Sequence, residues 1–268
     1  MEHLATSFRK TSTQPEIQLI TSSDNKLREV QQILGNSVLA NRVKLTPVEL
    51  QPSNEMELKR LRGPGFYGEV AELCALTKFQ EMQARNGTAL QPGAVLLDTA
   101  FFQVPALGFP GVLAASFFYS GKLADGTPIE NTVAPRLICE AARLFKDYRL
   151  VWTETVVLAE DGGEGKTVPK VFQSVKECFA PPTPQGNGWA FDVCAGPDPI
   201  EIARIEGNTA AVNRLLAIKD RKFDLACAAA KEGYLRTFAE LGADKHLYSP
   251  RGEVFRDLAR YLNGNIKA

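Results

Sequence analysis

Short apolar runs alternate along the chain with longer segments whose apolar residues recur every three or four positions, the pattern of strands exchanging with amphipathic helices. Residues 17–20 (IQLI) predict a short strand, and Leu27, Val30, Ile33 and Leu34 predict a helix over 26–34. Residues 43–45 and 48–50 read as strand material, and Val70, Leu73, Leu76, Phe79 and Met82 mark one face of a helix over 69–85. Residues 94–97 (AVLL) are apolar without alternation, as in a strand covered on both faces. A helix follows over 134–145 with Pro135 in its first turn, then strands over 148–159 and 167–175 joined as a hairpin by residues 160–166. Beyond a Pro- and Gly-rich segment at 180–199, residues 200–241 read as mostly helical, most clearly over 210–218 and 223–241. Residues 244–251 (DKHLYSPR) read as a polar turn and 254–262 as a closing amphipathic helix. This exchange of strands and helices places the chain in the α/β class.

Composition narrows the function classes. Hydrophobic residues make up 44% and charged residues 23% of 268, ordinary for a soluble globular protein. Lys plus Arg and Asp plus Glu are both 31, so no whole-molecule field draws the chain to nucleic acid. The apolar runs are too short to span a bilayer, and no membrane contact is expected. Five cysteines without a CxxC spacing and two histidines argue against zinc and for reduced thiols in a cytoplasmic compartment. Residues 1–16 are polar and lack the apolar core of a secretory signal; they read as a flexible extension ahead of a single domain over 17–268.

Three stretches carry candidate chemistry. Asp98 and Thr99 follow the 94–97 strand, backed by Pro105, Gly108, Pro110 and Gly111. A carboxylate at a strand's carboxyl end can hold a divalent metal or act as a general base, and it can equally begin a turn. Residues 21–25 (TSSDN) precede the first helix as a capping signal; its free N–H groups, with Lys26, form either a phosphate seat or an ordinary cap. Trp189 and Phe191 lie two apart and share a face if extended, with Asp192 on the other; such aromatics stack on a planar ligand or pack in a core. Residues 160–167 (EDGGEGKT) resemble the end of a P-loop, but Glu160 stands where its leading Gly belongs and a strand follows, so that motif is excluded.

Separated stretches, in order, resemble the inosine triphosphate pyrophosphatase family, also called Ham1-like. Residues 21–35 (TSSDNKLREVQQILG) are similar to its T-G-N-x-x-K-x-x-E-V turn and helix, and 48–51 (VELQ) to its L-P-E-x-Q segment. Residues 97–111 (LDTAFFQVPALGFPG) resemble E-D-T-x-L…A-L-x-G-x-P-G, while 188–192 (GWAFD) and 245–251 (KHLYSPR) resemble F-G-x-D and K-x-x-x-S-H-R. The resemblance implies an α/β fold with a long mixed central sheet, flanking helices in two lobes around a nucleotide cleft, and a helical insertion around 201–238. It implies a hydrolase converting non-standard purine nucleoside triphosphates to the monophosphate and pyrophosphate with Mg2+, as a homodimer. Thr21, Ser22, Ser23 and Lys26 would cradle the phosphates, and Glu49 and Asp98 would hold magnesium. Asp98 and Lys26 would be the catalytic residues, with Thr99 beside the first. Trp189, Ala190, Phe191, Asp192, Lys245, Ser249 and Arg251 would surround the base and sugar.

The departures touch the same functions. The family's Asn is Ser23, its Glu before the signature Asp is Leu97, and its following-helix Lys is Cys74. Its S-H-R histidine is Pro250, and its F-G is Trp189-Ala190. These losses set a second expectation beside the enzyme: a nucleotide-binding or protein-interaction module of the same fold with reduced catalysis.

Overall fold

The computed structural model describes residues 17–20, 24–35, 43–46, 67–85, 93–105, 107–111, 133–164, 166–187 and 191–265. Its centre is a mixed sheet built on β1 (Ile17–Ile20), β2 (Val43–Thr46), β3 (Ala94–Val104), β4 (Phe109–Gly111), β5 (Arg149–Asp161), β6 (Thr167–Phe179) and β7 (Gly196–Pro197). The order is β2-β1-β3-β5-β6-β7, with β4 paired to β3. β1 runs parallel to β2 and β3, whereas β3–β5, β5–β6 and β6–β7 are antiparallel. The α/β class and the mixed sheet expected from the sequence are therefore present.

Helices α1 (Asp24–Gly35) and α2 (Tyr67–Arg85) follow β1 and precede β3. α3 (Val133–Phe145) precedes β5, and α4 (Pro199–Ile205), α5 (Thr209–Leu216), α6 (Lys222–Glu232) and α7 (Phe238–Leu241) follow β7. A 3-10 turn (Gly242–Asp244), α8 (Lys245–Tyr248) and α9 (Pro250–Asn265) complete the described chain. Among the described residues no helix is long and apolar enough to cross a membrane.

β5 organises the core because alternate side chains leave a strand on opposite faces. Val156 and Leu158 pack with Leu19, Val30 and Leu34 and with Val254, Phe255 and Leu258 of α9. Val157 and Ala159 face the other way, onto Ala75, Phe79 and Met82 of α2. Leu150 and Trp152, on the first face, join a larger cluster with Ile138 of α3, Phe191, Ile202, Leu225 and Phe238. Fully burying each such side chain contributes about 1.5–3 kcal/mol.

Several sequence expectations change in detail. β3 does not stop at Leu97 but runs eleven residues, so Asp98 lies inside the strand at a register shift between Asp98 and Ala100. A bulge of this kind lets a strand continue past a residue that breaks its pairing. Among the residues of α2 whose burial is described, Ala71, Cys74, Ala75, Phe79 and Met82 are buried, while Leu73 is exposed. The three-residue stripe from Val70 drifts around a helix that repeats every 3.6, so it cannot stay on one face. Residues 223–241 form two helices, not one. Gly233 adopts φ 80 at the end of α6, a left-handed conformation glycine takes without steric cost. Thr237 and Glu240 then start α7 as a capping box. The polar turn expected at 244–251 contains α8 and the start of α9. The 48–50 strand and the extension 1–16 lie outside the described residues. All five cysteines are free thiols, four of them buried, and burial pushes Cys139 up to about 12.

Candidate functional site

The groups that converge come from α1, β5, the loop after β6, and the α8–α9 junction. That junction is built by local chemistry. Ser249 caps α9, its Oγ accepting from the Gly252 N–H at 3.1 Å and its carbonyl from the Glu253 N–H at 3.1 Å. Pro250 occupies the first helical position, where a missing N–H costs nothing. Arg251 is thereby held in the first turn, pointing under the helix and not into solvent.

Arg251 donates through Nε to Glu154 Oε1 at 3.0 Å and through Nη2 to Glu154 Oε2 at 3.1 Å. Its Nη1 donates to Glu29 of α1. The Trp152 ring centroid lies 5.8 Å from the guanidinium carbon, a cation–π approach, and Trp152 Nε1 donates to Glu154 Oε2 at 3.1 Å. Lys245 donates to Glu29 and, at 2.8 Å, to Asp192 Oδ2. Three carboxylates and two cations thus form one network, with side chains between 0% and 17% exposed.

Burial sets the energetics, because each charge kept from water needs a partner. Burial would raise the Glu29 carboxyl, but Arg251 and Lys245 outweigh it and hold it at about 2. At Asp192 burial wins and pushes the carboxyl up despite Lys245. Burial opposes the charges of Lys245 and Arg251, yet their carboxylate partners raise both. His246, beside Lys245, meets Gln32 Oε1 through Nε2 at 3.3 Å. Burial, with Lys245 and two arginines nearby, lowers its imidazole to about 4 despite Glu29.

Among the residues singled out from sequence, the structure brings Asp192, Lys245 and Arg251 into one network and assigns Ser249 to the helix cap. Lys26 lies in the first turn of α1, one turn before Glu29. Phe191 belongs to the core: its ring meets Trp152 edge-on at 5.0 Å and stacks on Phe238 at 6.0 Å. Asp98 and Thr99 sit at the β3 register shift, Asp98 opposite Thr155. Thr21, Ser22, Ser23, Glu49, Trp189 and Ala190 lie outside the described residues. Among the described residues no group of three or more His, Cys, Asp or Glu is placed to hold a metal ion.

Sequence reasoning missed Glu29 and Glu154. Glu29 carried a signal, since it stands one turn after Lys26 in the stretch 21–30. Glu154 carried one too, as a single acid inside the apolar run 150–159.

No protein-family model matches the chain, and no curated protein matches it. Solved structures do. A HAM1 protein from Coxiella burnetii aligns over 92% of this chain and 99% of its own, at 18% identity and a TM-score of 0.50. A nucleoside-triphosphatase, dITP/XTP pyrophosphatase from Mycobacterium abscessus covers 93% and 98% at 19% identity and a TM-score of 0.46. The Staphylococcus aureus Ham1 protein covers 92% and 99% at 14% identity and a TM-score of 0.49. From the Coxiella burnetii alignment, nearly complete on both chains, the protein has the fold of a Ham1 protein.

Proposed function

We propose that the chain is a magnesium-dependent nucleoside triphosphate pyrophosphatase that converts non-standard purine nucleotides, the inosine and xanthosine triphosphates and their deoxy forms, to the monophosphate and pyrophosphate. One observation carries the reading. The network of Glu29, Glu154, Asp192, Lys245 and Arg251 joins the helix that follows the TSS stretch to the GWAFD and KHLYSPR stretches, three segments far apart in sequence. In this reading the base lies at the network and the phosphates at the start of α1.

A triphosphate brings about four negative charges, so its cleavage depends on positioning and on cations and donors around the phosphates. Thr21, Ser22, Ser23 and Lys26 would supply donors and one cation there, helped by the positive end of α1. The donor set suits magnesium: Glu49 and Asp98 offer hard carboxylate oxygens, and Asp98 stands where the β3 pairing shifts. Bound there, the ion would supply positive charge against the phosphate oxygens and acidify a water. Asp98 would orient or deprotonate the attacking water, with the Thr99 hydroxyl beside it. At the other end, with Phe191 in the core, stacking on the base would fall to Trp189, with Ala190 beside it. A 6-keto purine accepts where adenine's 6-amino group donates, so Arg251 and Lys245 favour the keto base.

The test is incubation of the purified chain with inosine, xanthosine and standard triphosphates and magnesium. Pyrophosphate release is expected from the first two in preference to adenosine triphosphate. Asp98→Asn is expected to lower that rate by ~100–1000-fold without moving the melting temperature. Failure of every triphosphate to release pyrophosphate ends the enzyme reading. The second reading, a binding module with reduced catalysis, draws on Leu97 in place of an acid and on the buried Cys74 in place of a cation. It predicts nucleotide binding without turnover, unchanged in Asp98→Asn. The homodimer implied by the family resemblance belongs to the proposal and is read by sedimentation.

A further inference from the structure

The proposed mechanism gives Glu154 no role. Its side chain is wholly buried, on the face of β5 shared by Leu150, Trp152, Val156 and Leu158. It therefore interrupts an apolar row between two hydrophobic clusters. A buried carboxylate is tolerated only when paired and hydrogen-bonded. Here both oxygens are engaged, Oε1 by Arg251 Nε at 3.0 Å and Oε2 by Arg251 Nη2 and Trp152 Nε1, each at 3.1 Å.

Glu29 engages the same guanidinium differently. It approaches from α1, is 17% exposed, and takes only Nη1. Arg251 is thus fastened along its Nε–Nη2 edge to a central strand and at its remaining corner to a helix near the surface. The strand cannot shift without disturbing the core on both its faces; a side chain on α1 can exchange partners with water or a ligand.

We infer that Glu154 is a positioning residue: it fixes the plane of the Arg251 guanidinium and leaves the Nη1 corner as the donor that passes from Glu29 to a carbonyl oxygen of a bound base. The second half rests on reading this site as the base end of a purine-nucleotide pocket. A donor already fixed by the fold loses little freedom when ligand arrives, which is the advantage of preorganisation. Without Glu154 the guanidinium follows Glu29, and its remaining donors lose their defined direction.

The test separates the two halves. In the full chain, hydrogen exchange of the Arg251 Nε–H is followed by nitrogen-15 NMR, its signal assigned by its loss in Arg251→Lys. Inosine monophosphate binding is measured by calorimetry. In Glu154→Gln the Nε–H is expected to exchange at least about tenfold faster and the Kd to rise about tenfold, because Arg251 stays in place but its donor loses a fixed direction. Glu29→Gln is expected to leave Nε–H exchange within about twofold, because that nitrogen faces Glu154. Should Glu154→Gln fail to fold, Glu154→Asp, which keeps the charge but withdraws it by one methylene, serves instead and is expected to move both readouts in the same direction. Exchange and affinity unchanged in the folded variant overturn the positioning role. Wild-type chain that does not bind the monophosphate overturns the nucleotide reading, and Nε–H exchange then still decides whether Glu154 holds Arg251.

Discussion

Single residues in the network give the fold an acid dependence with a definite sign. Glu29 is held at about 2 against an ordinary 4.5, so the unfolded chain takes up its proton first as pH falls. Its contribution is whole above pH 4.5 and disappears as pH falls towards 2. A displacement of that size corresponds to roughly 3 kcal/mol. His246 works in the same direction at higher pH. Lowered from 6.5 to about 4, it is neutral in the fold, and its contribution is whole above pH 6.5 and declines as pH falls through 4. Melting temperature followed from pH 7 to pH 3 is therefore expected to fall in two overlapping stretches. His246→Asn should flatten the first, and Glu29→Gln the second. A wild-type melting temperature level between pH 6.5 and 4 would show that His246 is not held neutral by the fold.

At the scale of elements, the α8–α9 junction holds Lys245 and Arg251 in place, and Gly252 is what lets the two helices approach. A Cβ at Gly252 would lie 1.9 Å from the His246 carbonyl oxygen, a backbone atom that cannot rotate away. Gly252→Ala is expected to cost about 3 kcal/mol in a urea melt, as an overpacked contact that must push the two helices apart. Gly264→Ala, farther along α9 with nothing within 4 Å, should be neutral or slightly stabilising. Equal effects of the two would mean that the junction is not tight. The same junction was only half legible in the sequence. Apolar periodicity announced α9 only from Val254, because Ser249 to Glu253 carry capping signals and no apolar stripe, although Ser249 and Arg251 are buried. The strands around β5 and the helices flanking them were legible because burial on a strand or helix repeats with a fixed period. Asp192, Lys245 and Arg251 were legible as motif residues. Their partners were not: Glu154 meets Arg251 across 97 positions and Glu29 across 222, and no local spacing encodes a pairing decided by how α1, β5 and α9 pack.

Over the whole molecule, formal net charge is zero, so any affinity for a nucleotide has to arise locally. The network supplies such a place only in the native state, since Glu29, Glu154, Asp192, Lys245 and Arg251 meet only when the sheet and α9 are assembled. A ligand that uses these groups binds the folded chain and not the unfolded one, and so stabilises it by mass action. At a hundred times its Kd the gain is about 2.7 kcal/mol, equivalent to about 5–10 °C in a chain of this size. Inosine and xanthosine monophosphates are expected to produce that shift, and adenosine monophosphate a smaller one at equal concentration. Asp98→Asn should retain the shift, because Asp98 acts at the phosphate end and the monophosphate base is held at the network. Arg251→Lys should lose most of it, since an ammonium replaces a planar donor whose direction Glu154 and Trp152 set. Equal shifts from the adenine and hypoxanthine nucleotides would place base discrimination elsewhere in the chain, even if pyrophosphate release were observed.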